Sequence, residues 1–234
     1  VLHLTFTMAD NPGLSPKVLA RYESMFRGTF YRRFVLGEWA AAEGLVYDFF
    51  SPELVQAVPE QMDGPWYISC DYGTVNPTSM GLWGQKGGVW YRTAEFYYDS
   101  RKTGRQQTDG EYADDLARLA GGQDIRGGVL DPSAASFREE LLRRGWTVYR
   151  AENEVLSGIR RTAELLRAGQ LVICTPCEDA IREFGLYRWD TAVSGDRVVK
   201  EHDHAMDDIR YFAVTVAGRR RDGFFAGTVE RGSG

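Results

Sequence analysis

The spacing of apolar and polar positions changes as this chain runs. After Ser15-Pro16, an N-cap with proline at the first helical position, Val18, Leu19, Tyr22 and Phe26 recur at roughly helical intervals. Gly37-Glu38-Trp39 and the run from Leu45 to Phe50 are apolar and aromatic, as expected of a docked segment, and residues 61–65 read as a boundary. From Trp66 the pattern is that of strands. Trp66–Asp71, Ser79–Gly84 and Val89–Tyr98 predict three in succession, and Gln85-Lys86-Gly87-Gly88 turns the last pair into a hairpin. Helices and strands then alternate. Tyr112, Leu116 and Leu119 predict a helix over residues 108–119, and Gly128–Leu130 a short buried strand. Phe137, Leu141 and Leu142 belong to a helix capped by Ser133 and ended by Gly145. Trp146–Tyr149 predicts a strand, Val155–Leu166 a helix and Leu171–Cys174 a strand. Thr175-Pro176-Cys177-Glu178 has the form of a capping box, opening a helix through Ile181 and Phe184. Residues 188–200 predict a hairpin around Gly195-Asp196, and Asp203–Val216 a final helix. Together these predict one α/β domain with a mixed central sheet flanked by helices.

Composition narrows the class. A chain of 234 residues can bury a full core, and its ordinary hydrophobic and charged fractions suit a soluble globular protein. No apolar run is long enough to span a bilayer, so no membrane partner is expected. Three cysteines, an odd number, argue against a secreted disulfide scaffold and for a reducing cytosol. The net charge of −5 counts against a nucleic-acid binder. Bound divalent cations would cancel part of it locally. The positive charge is also clustered: Arg138, Arg143, Arg144, Arg150, Arg160, Arg161 and Arg167 share one region, and Arg219-Arg220-Arg221 another. The plain alternative is solvated helix faces. The chain opens Val1-Leu2-His3 without methionine, so a longer parent is expected.

Candidate chemistry lies in three acidic clusters. Asp71 closes the first predicted strand, Asp131 closes Gly128-Val129-Leu130, and His202-Asp203-His204-Ala205-Met206-Asp207-Asp208 opens the final helix. Open α/β sheets place sites at the C-terminal ends of their strands. Carboxylates gathered there can hold two divalent ions about 4 Å apart, which grip the attacking water and the leaving oxygen of a phosphodiester. At about 100° per residue, Ala205, Met206, Ile209, Phe212, Ala213 and Val216 form the buried helix face. His204 and Asp208 flank that face while Asp207 points further away, so the wheel does not choose between the two aspartates. The competing reading makes these acids helix caps, first-turn charges and turn formers. Cys174-Thr175-Pro176-Cys177 is a Cys-x-x-Cys motif, but a zinc site needs more ligands and the capping reading accounts for the segment. The tryptophans and tyrosines fall mostly on core patterns rather than as base-stacking platforms.

Trp66-Tyr67-Ile68-Ser69-Cys70-Asp71-Tyr72-Gly73, Leu130-Asp131-Pro132-Ser133 and Asp203-His204-Ala205-Met206-Asp207-Asp208-Ile209-Arg210-Tyr211 resemble the nuclease domain of the large terminase subunit of tailed bacteriophages. Thr7 to Pro12, Gly37-Glu38-Trp39 and Gly44-Leu45-Val46-Tyr47 resemble the stretch joining that family's ATPase motor to its nuclease. The resemblance implies an RNase H-like fold over residues 61–217, the end of a motor domain or linker arm over 1–60, and a flexible basic tail over 218–234. It implies a metal-dependent endonuclease that cuts concatemeric double-stranded viral DNA during packaging, with two Mg²⁺ or Mn²⁺ ions. Carried over by position, Asp71 bridges the metals, Asp131 and Asp207 are ligands, Asp208 is an additional ligand and His204 the auxiliary histidine. Arg197 and Lys200, on the 190–200 hairpin, are candidate DNA-backbone contacts. The implied partners are the ATPase domain of the same polypeptide, the portal protein and the small terminase subunit, in the host cytoplasm and transiently at the procapsid portal. No Gly-x-x-x-x-Gly-Lys-Ser/Thr loop is present, so ATP hydrolysis is not expected of this chain. Another RNase H-like nuclease, such as a junction resolvase or transposase core, and a non-catalytic docking module are the alternatives.

Overall fold

The computed structural model describes residues 11, 13, 15, 44–192 and 196–218. The helix expected after Ser15, the Gly37-Glu38-Trp39 segment, the Gly195 hairpin tip and the arginine tail lie outside these residues. The chain divides into two compact units, one of residues 1–46 and 188–199, the other of 47–187 and 200–234. In the first, Leu45 bridges Arg188 and Trp189 bridges Val198, both antiparallel, and Asp190 N–H donates to the Arg197 carbonyl at 2.8 Å.

The second unit is built on a sheet of seven strands: β1 (Val55–Gln56), β2 (Trp66–Asp71), β3 (Thr78–Lys86), β4 (Val89–Tyr98), β5 (Ile125–Leu130), β6 (Val148–Arg150) and β7 (Leu171–Cys174). Their order is β1-β7-β4-β3-β2-β5-β6. The predicted meander is present: β3 runs antiparallel to both β2 and β4, and Gly87 and Gly88, at φ 58° and 83°, make the tight turn of its hairpin. Every other pairing among the described strands is parallel, so β3 alone runs against the rest. The C-terminal ends of β2, β4, β5 and β7 therefore share one edge. A bulge marks the start of the β2–β5 ladder: Trp66 pairs Ile125, Tyr67 pairs Gly127, and Arg126 is the extra residue.

Among the described residues, six α-helices flank the sheet: α1 (Ser100–Thr103), α2 (Asp109–Ala120), α3 (Ala135–Arg143), α4 (Val155–Arg167), α5 (Glu178–Phe184) and α6 (His204–Phe212), the last continued by a π-turn over Ala213–Ala217. The period of two sorts the strands between two cores. Ile68, Cys70, Met80, Leu82 and Leu130 pack with Tyr112 and Leu116 of α2 and Phe137 and Leu141 of α3. Tyr67, Ser69 and Asp71 point to the other face, where α6 crosses β2, β3 and β5. There Phe212 stacks on Trp83 at 4.2 Å, a contact worth about 0.5–1.5 kcal/mol beyond the area it buries.

Two expected caps are replaced. Ser133 does not cap α3, whose N-cap is Ala134. Its backbone N–H donates instead to Asp131 Oδ1 at 2.7 Å. The Thr175–Glu178 capping box does not form, because Glu95 on β4 reaches across to accept from Asp179 N–H at 2.6 Å and Ala180 N–H at 3.2 Å. A tertiary carboxylate thus satisfies the first turn of α5. The cysteines of the Cys-x-x-Cys motif are free and buried, as is Cys70. Among the described residues no helix is long and apolar enough to cross a membrane.

Candidate active site

The last paired residues of β2 and β5 are Cys70 and Leu130. Asp71 and Asp131 each follow by one position, so they leave the sheet side by side, about one interstrand spacing (~4.8 Å) apart at the backbone. Both have the parity that faces α6. The third acid comes from the first turn of that helix. Asp207 Oδ1 accepts from Arg210 Nη2 at 2.9 Å, and Oδ2 from Lys200 Nζ at 3.3 Å. Tyr211, on the same helix, reaches Asp131. Its hydroxyl donates to Asp131 Oδ2 at 2.7 Å. Burial, together with the charges of Asp71 and Asp207, pushes its pKa far up, so it remains a donor.

His204 opens α6 and places Nδ1 2.9 Å from Asp71 Oδ2. Asp71 Oδ1 receives no hydrogen bond from any described residue. The helix is held at this end by Glu183 of α5, whose Oε2 accepts from Ala205 N–H at 2.7 Å while Oε1 accepts from the Tyr97 hydroxyl at 2.7 Å. Lys200 also pairs with Asp203 at 3.1 Å, so its ammonium sits between two carboxylates.

The first two acids titrate differently. Burial raises the Asp71 carboxyl to about 6; the His204 hydrogen bond opposes this, and the negative charge of Asp207 adds to it. Burial also pushes Asp131 upward, but the hydrogen bonds from Ser133, Tyr211 and Asn153 outweigh it and leave the pKa below the ordinary value. Burial depresses the His204 imidazole, and the Asp71 hydrogen bond and charge more than reverse this, so its net shift is upward. One carboxylate is thus held ionised, and its neighbour changes charge close to neutrality.

Asp208 does not join this group. It is fully buried and faces the sheet, where Oδ1 accepts from Ser69 Oγ at 2.6 Å, Oδ2 accepts from Ser79 Oγ, and both oxygens engage Arg92, with Nη2 at 2.9 Å from Oδ2. Arg92 is itself fully buried and lies against Gly81, where an added Cβ would come within 1.9 Å of Nη1. The adjacent acid has its own arginine: Arg210 is 2% exposed, lies against Gly158 of α4, and also donates to the Asn153 carbonyl at 2.8 Å. The expectation that Asp207 and Asp208 act as adjacent ligands therefore meets two acids with separate partners, Arg210 and Lys200 for the first and Arg92, Ser69 and Ser79 for the second. Sequence reasoning missed both arginines and Tyr211. An arginine, Arg92, inside the predicted strand Val89–Tyr98 and a glycine, Gly81, inside the strand before it were the available signal.

Asp71, His204 and Asp207 line a cleft of about 630 Å³ at the shared strand edge. Arg101, Lys102 and Arg182 line it too, whereas none of the seven arginines between 138 and 167 does. Arg138 and Arg143 lie on α3 with Arg144 at its C-cap, Arg160, Arg161 and Arg167 lie on α4, and Arg150 ends β6. Lys200, expected on DNA, is held by Asp203 and Asp207. Arg197 belongs to the other unit. Among the described residues, no three His, Cys, Asp or Glu side chains already close on a common metal position. The oxygen donors available at the edge are those of Asp71, Asp131 and Asp207.

No family model matches the chain, and no curated protein does. Solved structures do. The chain is 43% identical to the large terminase of a thermophilic bacteriophage, determined in complex with ADP, with a TM-score of 0.85 over 92% of this chain and 55% of that one. It thus spans about half the length of that relative. The nuclease domain of the P22 large terminase matches at 17% identity and TM-score 0.59, over 74% of this chain and 93% of that one. The large terminase nuclease of another thermophilic phage, G20c, with bound cobalt, matches at 14% identity and TM-score 0.53, over 75% of this chain and 98% of that one. The mixed sheet with flanking helices is the RNase H-like fold of these nuclease domains.

Proposed function

We propose that this chain, a relative of the large terminases of bacteriophages, is a divalent-metal-dependent endonuclease that cuts double-stranded DNA during genome packaging. The observation that carries the reading is that Asp71 and Asp131 follow paired ends of adjacent parallel strands, with His204 on Asp71, the Tyr211 hydroxyl on Asp131 and Asp207 lining the same cleft as Asp71. The residues fit two Mg²⁺ or Mn²⁺ ions. Hard cations take carboxylate oxygens. Asp71 Oδ1 is open to a ligand, and a cation would relieve the repulsion from Asp207 that adds to burial in raising Asp71. The G20c nuclease, solved with bound cobalt, supports the use of a divalent metal.

When bound, such ions would polarise the scissile phosphate and lower the pKa of the attacking water. The chain's own groups do the rest. In this reading Asp71 would hold both ions, and Asp131, kept ionised by its three donors, and Asp207 would each supply oxygens to one. Tyr211 holds Asp131 in one orientation. His204 can take the proton that Asp71 loses and pass it to solvent through the cleft. Asp208 is assigned to the fold. The ATPase domain of the same polypeptide, the portal protein and the small terminase subunit are the proposed partners, and the host cytoplasm the proposed place of action.

The test is cleavage of supercoiled plasmid in Mg²⁺, Mn²⁺ or EDTA, beside Asp71→Ala and Asp131→Ala. Metal-dependent nicking and linearisation, lost in both variants, is expected. Cutting that persists in both, or in EDTA, would refute the assignment.

A further inference from the structure

The cleft has cations on one wall that the proposed chemistry does not use. We propose that Arg101, Lys102 and Arg182 form a track that holds the sugar-phosphate backbone of one DNA strand beside the acids; this rests on the nuclease reading above. All three line the cleft and are exposed. Both groups sit at the C-terminal end of β4, which shares its edge with Asp71. Arg101 and Lys102 lie on the single turn of α1 directly after that strand, where Asp99 accepts from both their backbone N–H groups, at 3.1 and 3.4 Å. The turn is tied to the loop after Asp71: Ser100 Oγ donates to the Val75 carbonyl at 2.9 Å, and Arg101 Nη2 donates to Asn76 Oδ1 at 2.6 Å. Arg182 lies over the ring of Tyr97, 5.2 Å from its centroid, on a helix fixed to β4 by Glu95. The wall is therefore rigid at its backbone and long-armed at its tips.

Charge is sorted by depth. Asp71, Asp203 and Asp207 lie at the floor, where Lys200 already offsets part of their charge. The wall cations are themselves exposed, and their carboxylate partners lie deeper: Lys102 pairs with the half-buried Asp99 at 3.6 Å, and Arg182 with the half-buried Asp179 and, at 3.8 Å, with the buried Glu183. Exposed pairs are worth about 0–1 kcal/mol, so a phosphate can replace them. An acidic floor that takes cations, beneath a basic wall that takes anions, fits a polyanion with one phosphate over the floor and its neighbours along the wall. At about 630 Å³ the cleft has the size of a small-ligand site, with room for the backbone of one strand.

The experiment compares the 234-residue chain with Arg101→Ala/Lys102→Ala/Arg182→Ala and with Arg143→Ala, whose side chain is exposed but lies outside the cleft. Binding of a duplex oligonucleotide is followed by fluorescence anisotropy in Ca²⁺ between about 50 and 200 mM salt. Each lost phosphate contact flattens the plot of log K against log salt by about 1, so the triple variant should lose about 2–3 in slope and Arg143→Ala almost none. A slope changed by less than about 1, an affinity loss at unchanged slope, or equal flattening by Arg143→Ala would overturn the proposal. Failure of the parent reading shows differently, as a wild-type chain that leaves plasmid uncut in Mg²⁺ and Mn²⁺.

Discussion

Replacing Asp208 with asparagine separates the roles of the two adjacent acids. The substitution keeps the shape of the side chain; Ser69 and Ser79 bond opposite oxygens of Asp208, so one can still donate to the amide oxygen while the other accepts from the amide NH₂. It removes the charge opposite Arg92, whose side chain is fully buried and whose remaining carboxylate partner is Glu95 at 3.4 Å. Breaking a buried pair from one side costs about 3–5 kcal/mol, because the surviving charge is left without compensation. In a domain of this size each kcal/mol moves the melting temperature by about 2–4 °C, so a fall of about 6–20 °C is expected. Thermal and urea unfolding followed by circular dichroism read the loss, and calorimetric titration of the folded variant with Mn²⁺ reads the site. Affinity for Mn²⁺ should stay close to wild type. Arg92→Gln in the same background should restore part of the stability, with a coupling energy above about 1 kcal/mol. A variant as stable as wild type that no longer takes up Mn²⁺ would refute the reasoning and make Asp208 a ligand.

Asp71 should behave in the opposite sense. Its folded pKa of about 6 lies above the unfolded value of 3.8, so its contribution to stability is full below about pH 4 and is lost as pH rises through 6. Asp71→Asn should therefore stabilise the fold at pH 8, on the order of 1–3 kcal/mol by urea unfolding, while abolishing cleavage. Metal uptake must expel the same proton, so wild-type affinity for Mn²⁺ should fall as pH drops through about 6, with a flat profile between pH 5 and 7 counting against the assignment. Glu95→Ala removes the acceptor for two N–H groups at the start of α5 and should cost about 1–2 kcal/mol, whereas Thr175→Ala should cost almost nothing.

Much of this arrangement was legible because it is written locally. β2, β4 and β7 match the apolar runs residue for residue, and the capping box at Thr108 and Glu111 opens α2 where its periodicity begins. Asp71 and Asp131 could be paired from sequence because both close strands that run parallel. What escaped was carried by partners distant in the chain. The helical wheel treated α6 as two-faced, but the helix lies between the sheet and helices α4 and α5 and is buried nearly all round, Asp207, Asp208 and Arg210 included. Where every face is buried, the angle on the wheel no longer tells the two acids apart; access to the cleft does, since Asp207 lines it and Asp208 is enclosed against the sheet. Glu95 was unreadable as a cap for the same reason, since its helix begins more than 80 residues later.

The one-residue bulge at Arg126 sets the phase of the two strand-end acids. With Tyr67 opposite Gly127, Asp131 follows the Cys70–Leu130 pair and faces α6 beside Asp71. Were the ladder unbroken from the Trp66–Ile125 pair, Leu130 would stand opposite Asp71 and the acid would come one place later, on the face of the wrong core. A residue gained or lost in the turn at 121–124 is absorbed by the loop, whereas the same change between 126 and 131 inverts a strand. The bulge makes this short stretch a counted ruler, in which length is under tighter constraint than the identity of any one of its side chains.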